Sequence, residues 1–300
     1  MTIKNTIFPL MVLLQCLLCA TPEKSNNNVD IIIFSYDRPL QLYAFLESID
    51  QYCVGVGKCF VLYRASDKDY EKSYKEVMTA FHKTIFIKQN NAIAPADFKP
   101  LLCDIVCKKS RSKYIAFGVD DIVVCDDIDL RDCVVDMETS KAFGFYLRLG
   151  HNITGSYFKN RICKLPAFKI VNDRSYAWHF SKSELVWNYP HSVDMTIFSR
   201  AYSEHAVKSL TYKSPNSFEQ EWSLQQPPGD IGLCFDFSKL INIPLNLVQE
   251  DWHNKNMGTL SAKCLLEMFK AGLKMDISPL RQFRENKTPH IAYIPSFKPR

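Results

Sequence analysis

The chain has 300 residues, of which 47% are hydrophobic and 23% charged, and its formal net charge is +5. That is enough apolar material for a full core, and the ordinary charged fraction does not indicate a disordered chain. The densest basic run, Lys108, Lys109, Arg111 and Lys113, falls where a helix ends and complements its dipole; a nucleic-acid partner, which needs charge gathered on one face, is not expected.

In chain order, Lys4 precedes an uncharged stretch from Ile7 to Ala20, followed by a polar segment with Ser25, Asn26, Asn27 and Asn28. A basic start and a short apolar run are expected to form a secretory signal or signal anchor over residues 1–20, with residues 21–28 as a polar linker. The protein is then exported or membrane-anchored through this segment, and an uncleaved anchor leaves the cytoplasmic face open as the alternative. Val29 to Phe34 is a compact β-branched run, expected to be a buried strand, and Pro39 suits the first turn of a helix carrying Leu40, Leu42, Phe45, Leu46 and Ile49. Strands are expected at Cys59 to Tyr63, Thr84 to Lys88 and Tyr114 to Val119, and helices at Asp67 to Phe81 and Asp97 to Cys107. Such alternation predicts an α/β fold, a mostly parallel sheet with helices on both faces, whose ligands bind beyond the carboxyl ends of the strands.

The second half is less regular. Strands are expected at Ala142 to Leu149, Ser175 to Phe180 and Met195 to Phe198, and Trp187, Tyr189, Pro190 and His191 read as a loop. Ser199 and Ser217 are placed to cap helices, and Thr259 to Lys270 forms a helix stopped by Gly272. With no internal repeat and no Gly/Ser linker, residues 29–300 read as one domain. Of 11 cysteines, nine remain beyond Cys16 and Cys19; their scattered spacing suits free thiols rather than a zinc cluster or a disulfide framework. Asn152-Ile-Thr and Asn286-Lys-Thr match the glycosylation pattern.

The chemistry is expected at Asp120 and Asp121, adjacent carboxylates at the end of a buried strand. Burying unpaired carboxylates is costly, and a divalent cation with hard oxygen ligands resolves it; an exposed acidic turn, such as Asp126, Asp127 and Asp129 suggest, is the alternative. Gly55-Val-Gly57-Lys58 lacks the spacing of a phosphate loop, and neither a Gly-x-Gly-x-x-Gly nor a Gly-x-Ser-x-Gly motif occurs.

The segment Ile33-Phe-Ser-Tyr-Asp-Arg-Pro39, with Leu40, Leu46 and Ser48 behind it and Val119-Asp120-Asp121 further on, resembles nucleotide-sugar glycosyltransferases of the GT-A fold, in particular their family-2-like group. Valine stands where that family's Asp-x-Asp motif has its first acid. The resemblance implies a nucleotide-binding half over 29–125 and an acceptor half over 126–300. It implies that Ser35, Tyr36, Arg38, Arg64, Ser66 and Asp67 bind base and ribose. Asp120 and Asp121 would bind Mn²⁺ or Mg²⁺ and the diphosphate, with His253 as a further metal ligand. The substrates implied are a nucleotide-sugar, by default a UDP-sugar, and a glycan, lipid or protein acceptor hydroxyl. Glu219 is the expected base and Asp194 the runner-up. The competing expectation is an exported carbohydrate- or protein-binding protein that keeps the fold without the chemistry.

Overall fold

The computed structural model describes residues 28–157, 159–248 and 260–300. The expected leader, most of the polar linker and His253 lie outside them. Four strands, β1 (Val29–Tyr36), β2 (Val56–Arg64), β3 (Ile85–Lys88) and β4 (Tyr114–Val119), lie parallel in the order β3-β2-β1-β4. β1 is buried on both faces, which is why its sequence is a continuous apolar run rather than an alternation. Five more strands, β5 (Gly144–Tyr146), β6 (Lys169–Ile170), β7 (Ser175–His179), β8 (Thr196–Ser199) and β9 (Ile231–Phe235), extend this sheet to nine, in the order β3-β2-β1-β4-β8-β5-β9-β7-β6. β8 runs against β4 and β5, and β7 runs against β9 and β6. Because β5 and β9 pair in parallel, all strands but β7 and β8 point the same way. The mostly parallel sheet is as expected.

Helices cover both faces. On one side α1 (Pro39–Tyr52), α2 (Lys68–Ala80), α4 (Leu130–Ser140) and α7 (Ala262–Lys270) bury Leu40, Tyr74, Val134 and Phe269 against Ile31 and Ile33 of β1. On the other, α3 (Phe98–Asp104), α5 (Arg200–Ser209) and α6 (Pro215–Ser223) bury Leu102, Val207, Phe218 and Trp222 against Ile32 and Phe34. Each such side chain contributes roughly 1.5–3 kcal/mol by leaving water. Among the described residues no helix is long and apolar enough to cross a membrane.

Local chemistry explains the boundaries. Pro39 occupies the start of α1, where its missing N–H is unneeded. Asp67 caps α2, accepting from the backbone N–H groups of Asp69 at 2.8 Å and Tyr70 at 3.0 Å. Gly272, at φ +82°, ends α7 in the left-handed region that glycine enters without strain. The expected helix from Asp97 is α-helical only to Asp104 and widens into a π-turn over Ile105–Lys109. At the amino end of β1, buried Asp30 accepts from Lys58 N at 2.7 Å, Ser110 Oγ at 2.7 Å and Ser112 Oγ at 2.7 Å. Burial alone would raise its pKa, but these bonds outweigh it and hold the carboxyl below the usual range.

Other expectations are corrected. Ser199 precedes α5 but makes no side-chain cap, and Ser214 rather than Ser217 caps α6, with Ser217 as its capping-box partner. The acidic run is not an open turn: Asp129 caps α4, Asp126 pairs with Lys239 Nζ at 2.7 Å, and Asp127 with Arg281 Nη2 at 2.6 Å. Neither Asn152 nor Asn286 is at the surface; Asn152 Nδ2 donates to Asn286 Oδ1 at 2.9 Å and both side chains are buried. Nine described cysteines are free thiols.

Candidate active site

The carboxyl ends of β1, β2 and β4 open into a cavity of about 370 Å³, where ligands of such sheets sit. β1 ends at Tyr36, and the chain turns through Asp37, at φ +53°, into α1. Asp37 Oδ1 accepts from Ser66 N at 2.8 Å, tying this turn to the one after β2. The turn aims Ser35 and Arg38 at the end of β4. Ser35 Oγ donates to Asp120 Oδ2 at 2.8 Å, Tyr36 N to the same oxygen at 3.2 Å, and Arg38 Nη1 to Asp120 Oδ1 at 2.9 Å. The rest of the Arg38 guanidinium is held by Asn246, whose Oδ1 accepts from Nε at 2.9 Å. Arg38 Nη1 also stands 3.6 Å from Asp121 Oδ2. Burial pushes the Asp120 carboxyl above its ordinary value, while Arg38, Ser35 and the Tyr36 N–H pull it back.

Asp121 belongs to a second group. Asn242 Nδ2 reaches Asp121 Oδ1 at 3.3 Å and Asp194 Oδ1 at 3.2 Å, so one amide spans two acids. Arg148 Nη1 pairs with Asp194 Oδ2 at 3.1 Å. Asn242 comes from a short strand, Leu240–Asn242, paired with Ile122–Val124 just after the two acids. Its buried Oδ1 and the buried Arg148 Nε have no partner among the described residues. Burial raises Asp121, with Asp120 and Asp194 adding to the effect and Arg38 and His290 opposing it. Burial lowers His290, against the pull of Asp194 and Asp121.

Glu219 joins this group from the second turn of α6. Its Oε1 accepts from Val193 N at 3.1 Å, which places it beside Asp194. Burial first, and then the Asp194 charge, push its carboxyl up to about 7. The two acids proposed as alternative bases therefore share one acidic cluster. Met195, next in the chain, has φ +54°, a conformation costly for a side chain of its size.

Ser35, Tyr36, Arg38, Arg64 and Asp120 line the cavity, with the Arg64 guanidinium 5.0 Å over the Tyr36 ring. Ser66 and Asp67 do not line it: the carboxylate of Asp67 is engaged in capping α2, and Ser66 gives its N–H to Asp37. His253 lies outside the described residues. Among those residues no three His, Cys, Asp or Glu side chains converge to hold a metal. Both Asp120 oxygens accept from protein donors, Oδ2 from Ser35 and Tyr36 and Oδ1 from Arg38. Arg148, Asn242, Asn246, His290 and Gln89 escaped the sequence reading. They come from separate segments, and only a polar residue ending an apolar run, as in Leu240-Ile-Asn242, offered a signal.

No family model matches the chain. It is similar to the bifunctional glycosyltransferase pgtA of Dictyostelium discoideum, 26% identical over 262 residues, covering 76% of this chain and 33% of that protein; the chain thus spans about a third of the length of this curated relative. Among solved structures it is similar to S. aureus TarS 1-349, with a TM-score of 0.44, 12% identity, and coverage of 70% of this chain and 58% of that one. It is also similar to 4-diphosphocytidyl-2C-methyl-D-erythritol synthase from Anaerococcus prevotii, with a TM-score of 0.37, 9% identity, and coverage of 71% and 91%.

Proposed function

We propose that the protein is a glycosyltransferase that moves a sugar from a nucleoside-diphosphate donor, by default a UDP-sugar, to an acceptor hydroxyl. The observation that carries this reading is the adjacency of two sites. A cavity at the carboxyl ends of β1, β2 and β4, lined by Arg38, Arg64 and Lys213, abuts the acidic cluster of Asp121, Asp194 and Glu219. Sequence similarity to a relative named as a glycosyltransferase supports it. Glu219, whose carboxyl burial and then the Asp194 charge raise to about 7, is suited to take the proton from an acceptor hydroxyl. Arg148 and Asn242 hold Asp194 and Asp121 in place.

In this reading Mn²⁺ or Mg²⁺ would rest on Asp121, whose Oδ2 is met among the described residues by Arg38 at 3.6 Å, rather than on Asp120, whose oxygens both accept from protein donors. One or two carboxylates plus substrate phosphates suffice for such an ion, and bound there it would supply charge neutralisation to the leaving diphosphate. The acceptor would be a glycan, lipid or protein hydroxyl, and the N-terminal apolar run would take the domain to the membrane or out of the cell.

Thermal melts of the full chain with Mn²⁺, with and without UDP, GDP and CDP, test the donor site. A rise with a nucleoside diphosphate, reduced in Asp121→Asn, is expected. No shift with any of the three would refute nucleotide binding.

A further inference from the structure

The cavity has a polar reader on an otherwise apolar wall. We propose that Gln89, locked by Asp97, reads the edge of the donor's base and selects uracil over cytosine; this rests on the nucleotide reading of the cavity. Gln89 follows β3, and its N–H donates to Tyr63 O at 2.8 Å, so its position is set by the sheet. Its buried side chain lines the cavity with Phe34, Leu62, Pro95 and Phe98. The Phe34 and Phe98 rings lie 5.4 Å apart, an apolar surface suited to the face of a base.

The amide orientation is fixed. Gln89 Nε2 donates to Asp97 Oδ1 at 2.9 Å, and Asp97 Oδ2 accepts from Asn90 N at 2.6 Å. A carboxylate only accepts, so the amide cannot turn over without opposing two acceptors. The carbonyl Oε1 is therefore the atom left to the cavity. It complements the N3–H of uracil, whereas cytosine presents a lone pair at N3. A site whose buried polar group is left unpaired by the wrong ligand discriminates strongly. Asp97 is a positioning residue that acts through Gln89.

Calorimetric titration of the full chain with UDP and with CDP, at one metal and salt concentration, tests this. The wild type is expected to bind UDP at least about tenfold more tightly. In Asp97→Asn the new amide can keep the Asn90 N–H and donate to Gln89 Oε1, turning Nε2 toward the cavity; the UDP-to-CDP affinity ratio should fall about tenfold or more. Gln89→Leu, which removes the polar edge and leaves Asp97 in place, should bring the ratio close to unity. Equal affinities in the wild type, or a ratio unmoved by both variants, would overturn the base-reading role alone. Failure of the wild type to bind any nucleoside diphosphate would overturn the nucleotide reading and this inference with it.

Discussion

Arg38 and Asp120 form an ion pair with side chains 10% and 5% exposed, and each is the other's main compensation for burial. Removing one partner strands a buried charge, so Arg38→Met is expected to cost about 3–5 kcal/mol of stability, read as a lower denaturation midpoint. Glu219→Gln should behave differently. Neutral glutamine keeps the volume and can still accept from Val193 N, so folding and nucleotide affinity should persist while kcat falls about 10²–10⁴-fold. The base must be ionised, so wild-type kcat/KM should rise with pH through about 7. A flat profile would remove Glu219 from that role. Asp67 separates capping from binding: Asp67→Ala should cost about 1 kcal/mol through loss of the cap, with no change in nucleotide affinity. A large loss of affinity at unchanged stability would restore the ribose-binding role.

At the scale of elements, α6 links the two parts of the site. Its start, Ser214, Pro215 and Asn216, lines the cavity, and its second turn carries Glu219. Ser214→Ala, which removes the capping box, should cost about 0.5–2 kcal/mol and weaken nucleotide binding by loosening that wall; circular-dichroism melts and titration measure the two effects. The first half was readable because its strands are continuous apolar runs and its helices have strong starts, Pro39 and Asp67. Among the elements the second half hid are β9 and α4. β9 escaped because Gly232 interrupts its apolar run, yet glycine is required there: a Cβ would come within 2.6 Å of the Trp178 indole. α4 escaped because Asp126, Asp127 and Asp129 look like a solvated turn until Lys239 and Arg281 are brought to them from more than a hundred residues away. Asp120, Asp121, Asp194 and Glu219 were each visible as single residues. Their assembly was not, since Asn242 and Arg148 join them only through the sheet.

For the molecule as a whole, burial sets the response to acid. His191 is fully buried among Phe143, Tyr202 and Trp222, its Nε2 2.7 Å from the Tyr202 hydroxyl. Burial lowers its pKa from 6.5 to about 4. The unfolded chain therefore binds a proton that the folded chain refuses, and this contribution to stability is lost as pH falls from about 6.5 to about 4. Glu219 acts in the opposite sense: its folded pKa is raised, so between about 4.5 and 7 the fold binds the extra proton and gains as pH falls. In Glu219→Gln that gain disappears, and the melting temperature should drop more steeply between pH 7 and pH 5 than in the wild type. An identical pH dependence in the two proteins would contradict the raised Glu219 carboxyl.

The most direct test of the transferase account is release of the nucleoside diphosphate from a set of UDP-sugars by the full chain with Mn²⁺ and a mixed pool of glycan acceptors, with the transferred sugar measured alongside. The account predicts release from at least one donor, an equal amount of sugar on an acceptor, and loss of both by about a hundredfold or more in Glu219→Gln. Binding of the donor with neither release nor transfer, or turnover undiminished in Glu219→Gln, would contradict it.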